Sequence, residues 1–225
     1  RLTAAALRLW NKSLGKGAIQ VKEHPQLPSD IPYTLFFGMA MLPLAATFAA
    51  SITGAFISAQ EFENGTIMEY RLAPVPSALL IGARLIRLII TGLISASILL
   101  GAIQLINTYL PQSFLKVGLI LIPISLIAGC IGISAGLVFH KAIPSFLISL
   151  VISFFGWLIG SGFGLAAGFS KPYSIISHLV PNTHAVELLY PLFFEGYVGN
   201  PMISILYMIV SSTLIIGITM SIYQH

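Results

Sequence analysis

Gln60–Ser77 reads QEFENGTIMEYRLAPVPS, and it is the only long polar interruption between two hydrophobic runs. Of the seven acidic residues in the chain, Glu61, Glu63 and Glu69 lie in it, together with Arg71, Pro74 and Pro76. Charge is scarce here and concentrated. A chain that keeps ionisable groups out of its apolar runs, because hydrocarbon does not solvate them, and gathers several in one short loop offers that loop for contact with something in water.

The runs on either side carry the fold. Of the 225 residues, 56% are hydrophobic and 8% charged, and the mean hydropathy is +0.93. Soluble domains are about 25% charged. The composition therefore predicts an all-α polytopic membrane helix bundle. Five runs are long enough for the roughly 20 residues a helix needs to cross hydrocarbon: 32–59, 78–107, 113–139, 142–169 and 201–223. Pro43 and Pro123 fall inside spans and predict kinks. The short connections at 108–112 and 140–141 make the second, third and fourth spans antiparallel neighbours. Residues 60–77 form the loop and 170–200 a segment before the last span.

Residues 1–31 do not belong to the membrane. Leu2, Ala5, Ala6 and Leu9 recur at helical spacing, Ala18–Val21 reads as a short strand, and the Pro-rich 23–32 reads as a linker. This is the expected tail of an extracytoplasmic domain. With Arg1 in place of an initiator Met, the chain reads as a fragment, and a missing first span would bring the total to six. The net charge of +4 on so apolar a background points to lipid headgroups rather than nucleic acid. A single cysteine, Cys130, excludes an intrachain disulfide, and the five histidines show no metal-ligand spacing.

Charge does not settle orientation. Arg71, Arg84, Arg87 and Lys141 collect on one side, and Lys16, Lys22, Lys116 and Lys171 lie near span ends on the other. Residues of a translocated domain count little, which favours a cytoplasmic 60–77 loop.

Two further features carry information. Gly156, Gly160, Gly164 and Gly168 recur at four-residue intervals, which on a continuous helix puts four missing side chains on one face for close helix packing. Spacing alone does not separate packing within one bundle from a subunit interface or a substrate path. HAVELLYPLFF, His184–Phe194, is too short to cross and suits a re-entrant or interfacial helix, where Glu187 and Glu195 need water or partners.

Within the opening stretch, a helix over 61–72 would set Met68 and Leu72 four residues apart as an apolar strip, with Pro74 and Pro76 ending it. Such a helix docks in a partner's groove or lies as a solvated turn at the headgroups. EFENGT followed by LAPVPSALLIGARLI resembles the E-x-E-x-G-T signature and following Pro of the permease subunits of type 2 ATP-binding cassette exporters. Glu61, Glu63, Gly65, Thr66, Pro74 and Gly82 match, while Met68 and Ala83 depart from the pattern. VPNTHAVELLYPLFFEG resembles the family's P-x-T-H-A-x-E-L-L segment through Pro181, Thr183, His184, Ala185, Glu187, Leu188 and Leu189. The N-terminal part resembles the end of the large extracytoplasmic domain found in one branch of the class.

The resemblance implies a multi-pass cell-membrane permease subunit that exports a hydrophobic or amphipathic substrate, such as a drug or lipid. Glu61, Glu63, Gly65, Thr66, Glu69, Arg71 and Pro74 would form a cytoplasmic coupling helix that meets a separate ATPase subunit. Pro181, Thr183, His184 and Glu187 would belong to re-entrant external helices. A second permease copy, identical or not, completes the assembly, and ATP and Mg reside on the ATPase. No phosphate-binding G-x-x-x-x-G-K-[ST] occurs, LGKG at 14–17 being incomplete. The chain itself is thus expected to be non-catalytic and free of cofactors.

Rival readings remain in view. GISAG at 132–136 fits G-x-S-x-G and Ser161 sits in GSG, but an intramembrane hydrolase needs a base beside its serine, and no span holds a histidine. A secondary transporter or channel is the alternative, set against spans almost free of ionisable groups. Phe36, Phe37, Met39, Met41, Phe154 and Phe155 would suit apolar cargo, yet such residues ordinarily face lipid or neighbouring helices.

Overall fold

The computed structural model describes residue 10 and residues 33–66, 77–107, 111–164, 171–194 and 200–224. The chain divides into two compact units, Arg1–Asp30 and Ile31–His225. Only Trp10 of the first is described, so the expected helix, strand and linker of residues 1–31 lie outside the described residues.

The second unit is a helical bundle. Its helices are α1 (Tyr33–Glu63), α2 (Ser77–Asn107), α3 (Phe114–Phe139), α4 (Ala142–Trp157), α5 (Lys171–His178), α6 (Pro181–Phe193) and α7 (Pro201–Gln224). A π-helical turn, Leu158–Gly162, extends α4. Five helices are long and apolar enough to cross a membrane: α1, α2, α3, α4 with its π turn, and α7. Ile86, Ile90, Ile94 and Ile98 line one exposed side of α2, a surface that hydrocarbon solvates and water does not.

α1 and α3 form the centre. More than half of each apolar window is buried, 56%, against 22% for α2 and for α7. α1 packs most extensively on α3 and then on α2 and α4, while α7 packs on α3 and α6. Lipid tails are as apolar as leucine, so these helices gain from close backbone approach and interhelical hydrogen bonds rather than from escaping water. The α1–α3 contact meets that requirement with small residues. A Cβ on Gly132 would strike the Ser51 carbonyl, and one on Gly136 would come within 2.6 Å of the Ser58 Cβ and 2.8 Å of the Ala55 carbonyl. Ala46, Ala50, Ser51, Ala55, Ser58 and Ala59 are all buried on the α1 side.

Polar pins join the helices. Ser51 and Ser153 share a 2.7 Å hydrogen bond between α1 and α4. The Trp157 indole N–H donates to the Ala40 carbonyl at 2.8 Å. Ser134 and Thr219 share a 3.1 Å bond between α3 and α7. Ser134, the central residue of GISAG, thus faces another hydroxyl, and the flanking glycines accommodate the α1 backbone. The motif's residues pack α3 against α1 and α7.

α1 runs on through Glu63, four residues past the apolar run, and Pro43 and Pro123 lie inside α1 and α3. One expectation is corrected. The glycine series of the fourth span does not make one helical face. The α-helix ends at Trp157, and Gly160 (φ −83°, ψ 45°) and Ser161 (φ 70°, ψ 22°) leave helical geometry altogether. Gly160 instead admits the start of α6, since a Cβ there would come within 2.7 Å of the Asn182 Cβ. Gly156 lies a turn earlier with only the Asn182 amide nearby, at 3.8 Å, Gly164 follows the π turn, and Gly168 lies outside the described residues.

Candidate functional site

Two polar assemblies cap the bundle at opposite ends. The first gathers the end of α1, the start of α2, the α3–α4 turn and the end of α7. Glu61 and Arg84 form an ion pair at 2.5 Å, with side chains 12% and 10% exposed. The Arg84 guanidinium also lies 5.4 Å from the centre of the Tyr223 ring, within cation–π range. One cation therefore ties α1, α2 and α7. Arg84 and Arg87, two basic residues of the orientation count, both lie within α2. A buried charge needs a partner there, and Glu61 supplies one.

Glu63 does something different. Its Oε1 accepts the backbone N–H of Ala142 at 3.0 Å. Ala142 is the first residue of α4, and Lys141 before it offers no side-chain cap. The carboxylate thus fills an open donor at a helix N-terminus and meets the positive end of the helix dipole. Between them, His140 closes α3 in the left-handed region (φ 55°) with its N–H donating to Gly136, and its ring lies 4.1 Å from that of Phe62.

Beyond Glu63 the chain turns. Asn64 donates to the Gln60 carbonyl and Gly65 to that of Phe62. Gly65 has φ 74°, a conformation that costs glycine nothing and other residues strain. Thr66 Oγ1 donates to the Glu61 carbonyl at 3.3 Å. A single helix over 61–72 is therefore excluded: Glu61 and Glu63 end α1, and Gly65 breaks the helix. Glu69, Arg71 and Pro74 lie outside the described residues.

The second assembly joins α5, α6 and α7 at the other end. Pro181 opens α6 at a position where its missing N–H costs nothing. Thr183 Oγ1 donates to the Ser177 carbonyl at 2.5 Å, tying α6 back to α5. Glu187 is buried, yet it is well partnered. Its Oε1 lies 3.2 Å from His178 Nε2, and its Oε2 accepts the Ser204 hydroxyl at 2.8 Å and lies 3.6 Å from His184 Nδ1. Burial pushes the Glu187 carboxyl up, but the nearby His184 ring, the hydrogen bond from Ser204 and the charge of His178 outweigh it and hold the group below its ordinary 4.5. Tyr190, also on α6, is pushed up by burial.

Sequence reasoning treated the histidines as scattered. The fold brings His178 and His184 together, with ring centres 5.9 Å apart, and Tyr207 of α7 stacks on His184 at 4.2 Å. The His184–Glu187 half was legible as an i, i+3 pair on a helix. Glu195 lies outside the described residues.

The proposed apolar wall divides. Phe36 and Met39 are buried, while Phe154 and Phe155 are 40% and 51% exposed and face outward. Phe37 stacks between Tyr33 and Phe163 and meets Trp157 edge-on. The groove among α3, α4 and α7, lined by residues such as Ile131, Val138, Ile152 and Ile218, is almost wholly apolar. Compared with models of known protein families and with curated proteins, the chain matches none.

Proposed function

We propose that the chain is the permease subunit of an ATP-driven exporter of the type 2 class, working as a dimer of permeases with a separate ATPase subunit. In this reading residues 64–76 face the cytoplasm and receive the ATPase. The observation that carries it is the position of the E-x-E-x-G-T signature. Its two carboxylates end on other helices, Glu61 on Arg84 of α2 and Glu63 on the first residue of α4. A force applied to the loop then reaches α1, α2 and α4 together, which suits rigid-body movement of a bundle. Glu61 and Glu63 act here as positioning residues rather than as direct contacts to the partner. Direct contact falls to the remainder of the loop, with Glu69 and Arg71. A hydrophobic or amphipathic substrate is what the family resemblance implies.

The test is isolation of the protein from its native membrane, with residues 67–76 intact or scrambled and Glu61, Glu63 and Gly65 kept. Vanadate-sensitive ATPase activity that accompanies only the intact loop supports the exporter. A folded protein that brings down no ATPase in either form overturns it in favour of a channel or secondary transporter.

A further inference from the structure

His178 ends α5, His184 and Glu187 lie on the first turns of α6, and Ser204 lies on the first turn of α7. Each imidazole has an acceptor at both nitrogens. His178 Nδ1 lies 2.7 Å from the Ser174 carbonyl and its Nε2 lies 3.2 Å from Glu187 Oε1. A carbonyl only accepts, so Nδ1 carries a proton. A neutral His178 would then turn a bare lone pair on Nε2 against a carboxylate that is 9% exposed. The contact is attractive only when Nε2 is protonated too.

His184 repeats the pattern with a relay. Its Nε2 donates to the His178 carbonyl at 2.9 Å, and its Nδ1 lies 3.1 Å from the Ser204 hydroxyl. Ser204 has one proton to give. With His184 neutral the hydroxyl can turn to Nδ1, and with His184 charged it donates to Glu187 Oε2, at 2.8 Å. Protonation and the orientation of one hydroxyl are therefore linked.

We propose that His178, His184 and Glu187 form a proton-binding site that locks the end of α5 onto α6 and α7. A proton from water enters at His178, whose side chain is 44% exposed while that of His184 is 4% exposed. It is held between Nε2 and Glu187 Oε1. Loss of that proton sets lone pair against carboxylate, and the least costly relief is movement of α5, which is eight residues long. The depressed Glu187 carboxyl keeps the counter-charge in place across the range where imidazoles change charge, roughly pH 5 to 8.

The surrounding groups are few. From α7 the site meets Tyr207, whose hydroxyl donates to the Leu179 carbonyl. From α5 Tyr173 donates to the carbonyls of Leu158 and Ile159 in the π turn. α1, α3, α4 and the π turn also pack on α6, and no ion pair joins an ionisable side chain of theirs to the three residues among the described residues. No group of three His, Cys, Asp or Glu side chains among the described residues is arranged to hold a metal ion. The inference does not depend on what drives transport.

Amide exchange of the full chain in lipid nanodiscs tests it, with rates corrected for the intrinsic pH dependence of exchange. Protection of residues 171–180 is expected to fall about tenfold between about pH 5.5 and about pH 8, while α3 is unchanged. His178→Gln, which donates without titrating, should flatten the dependence, and Glu187→Gln provides a second variant should the first fail to insert. Wild-type protection that is the same at both pH values overturns the proposal with no variant needed. A folded variant that keeps the full dependence overturns it equally.

Discussion

Glu63 Oε1 accepts the N–H of Ala142, a residue 79 positions along the chain, at 3.0 Å. The carboxylate ends one spanning helix and starts another. Removing a cap of this kind costs about 1 kcal/mol, part of it the charge–dipole attraction that salt screens. Glu63→Ala should lower the thermal midpoint in detergent, and Glu63→Gln, which keeps an acceptor but not the charge, should lose less. Equal midpoints for wild type and Glu63→Ala would show that the cap contributes nothing. A functional defect in Glu63→Ala alone would therefore report lost stability as well as any lost contact.

Gly132 sits where its Cβ would meet the Ser51 carbonyl of α1, whereas Gly118 in the same helix opens on empty space. Overpacking a close contact costs roughly 1–3 kcal/mol, and backbone against backbone has no flexible end to yield. Gly132→Ala should therefore be strongly destabilising. Gly118→Ala should be neutral or stabilising by up to about 1 kcal/mol, through helix propensity alone. Unfolding of the two variants side by side provides the check. Similar midpoints would mean that α1 and α3 do not cross where they are placed.

The spans were legible because length and apolarity suffice to specify them, and the boundaries differ mainly where polar residues such as Glu61 and Glu63 continue a helix past its apolar part. The packing seam was legible too, in the small residues Ser51, Ala55, Ser58 and Ala59 that meet Gly132 and Gly136, and in Gly54, which meets Gly129. The regular spacing of Gly156, Gly160, Gly164 and Gly168 presumes the very helix that Gly160 and Ser161 break. His178 was not legible as a partner of Glu187. It reaches the carboxylate only through the turn between α5 and α6, and a turn's geometry is not a periodicity. Arg84 was visible as a charge in an apolar run, but its pairing with Glu61 depends on how α1 and α2 cross.

Arg84 and Glu61 are each about nine-tenths buried, so removing one leaves the other poorly solvated. Breaking a buried pair costs several times what an exposed pair contributes. The double variant Glu61→Gln with Arg84→Met should lose less than the sum of the two single losses, with a coupling of about 1–3 kcal/mol in a double-mutant cycle. Tyr223→Leu should take a smaller part of the same stability through the lost ring contact, about 1 kcal/mol. Additive losses would show that the two charges do not act as a pair.

Glu187 sets the acid limit of the opposite end. Its carboxyl is held below its ordinary 4.5 once folded, so the folded form binds this proton less readily than the unfolded chain. The stabilisation is complete above about that value and is lost as pH falls through the lower, folded one. Unfolding midpoints measured from about pH 6 down to about pH 3 should therefore decline, and Glu187→Gln, which cannot titrate, should start lower and decline less. A wild-type acid decline no steeper than that of Glu187→Gln would mean that the buried carboxylate is not favoured by its partners, and that the closeness of His178, His184 and Ser204 carries no energy.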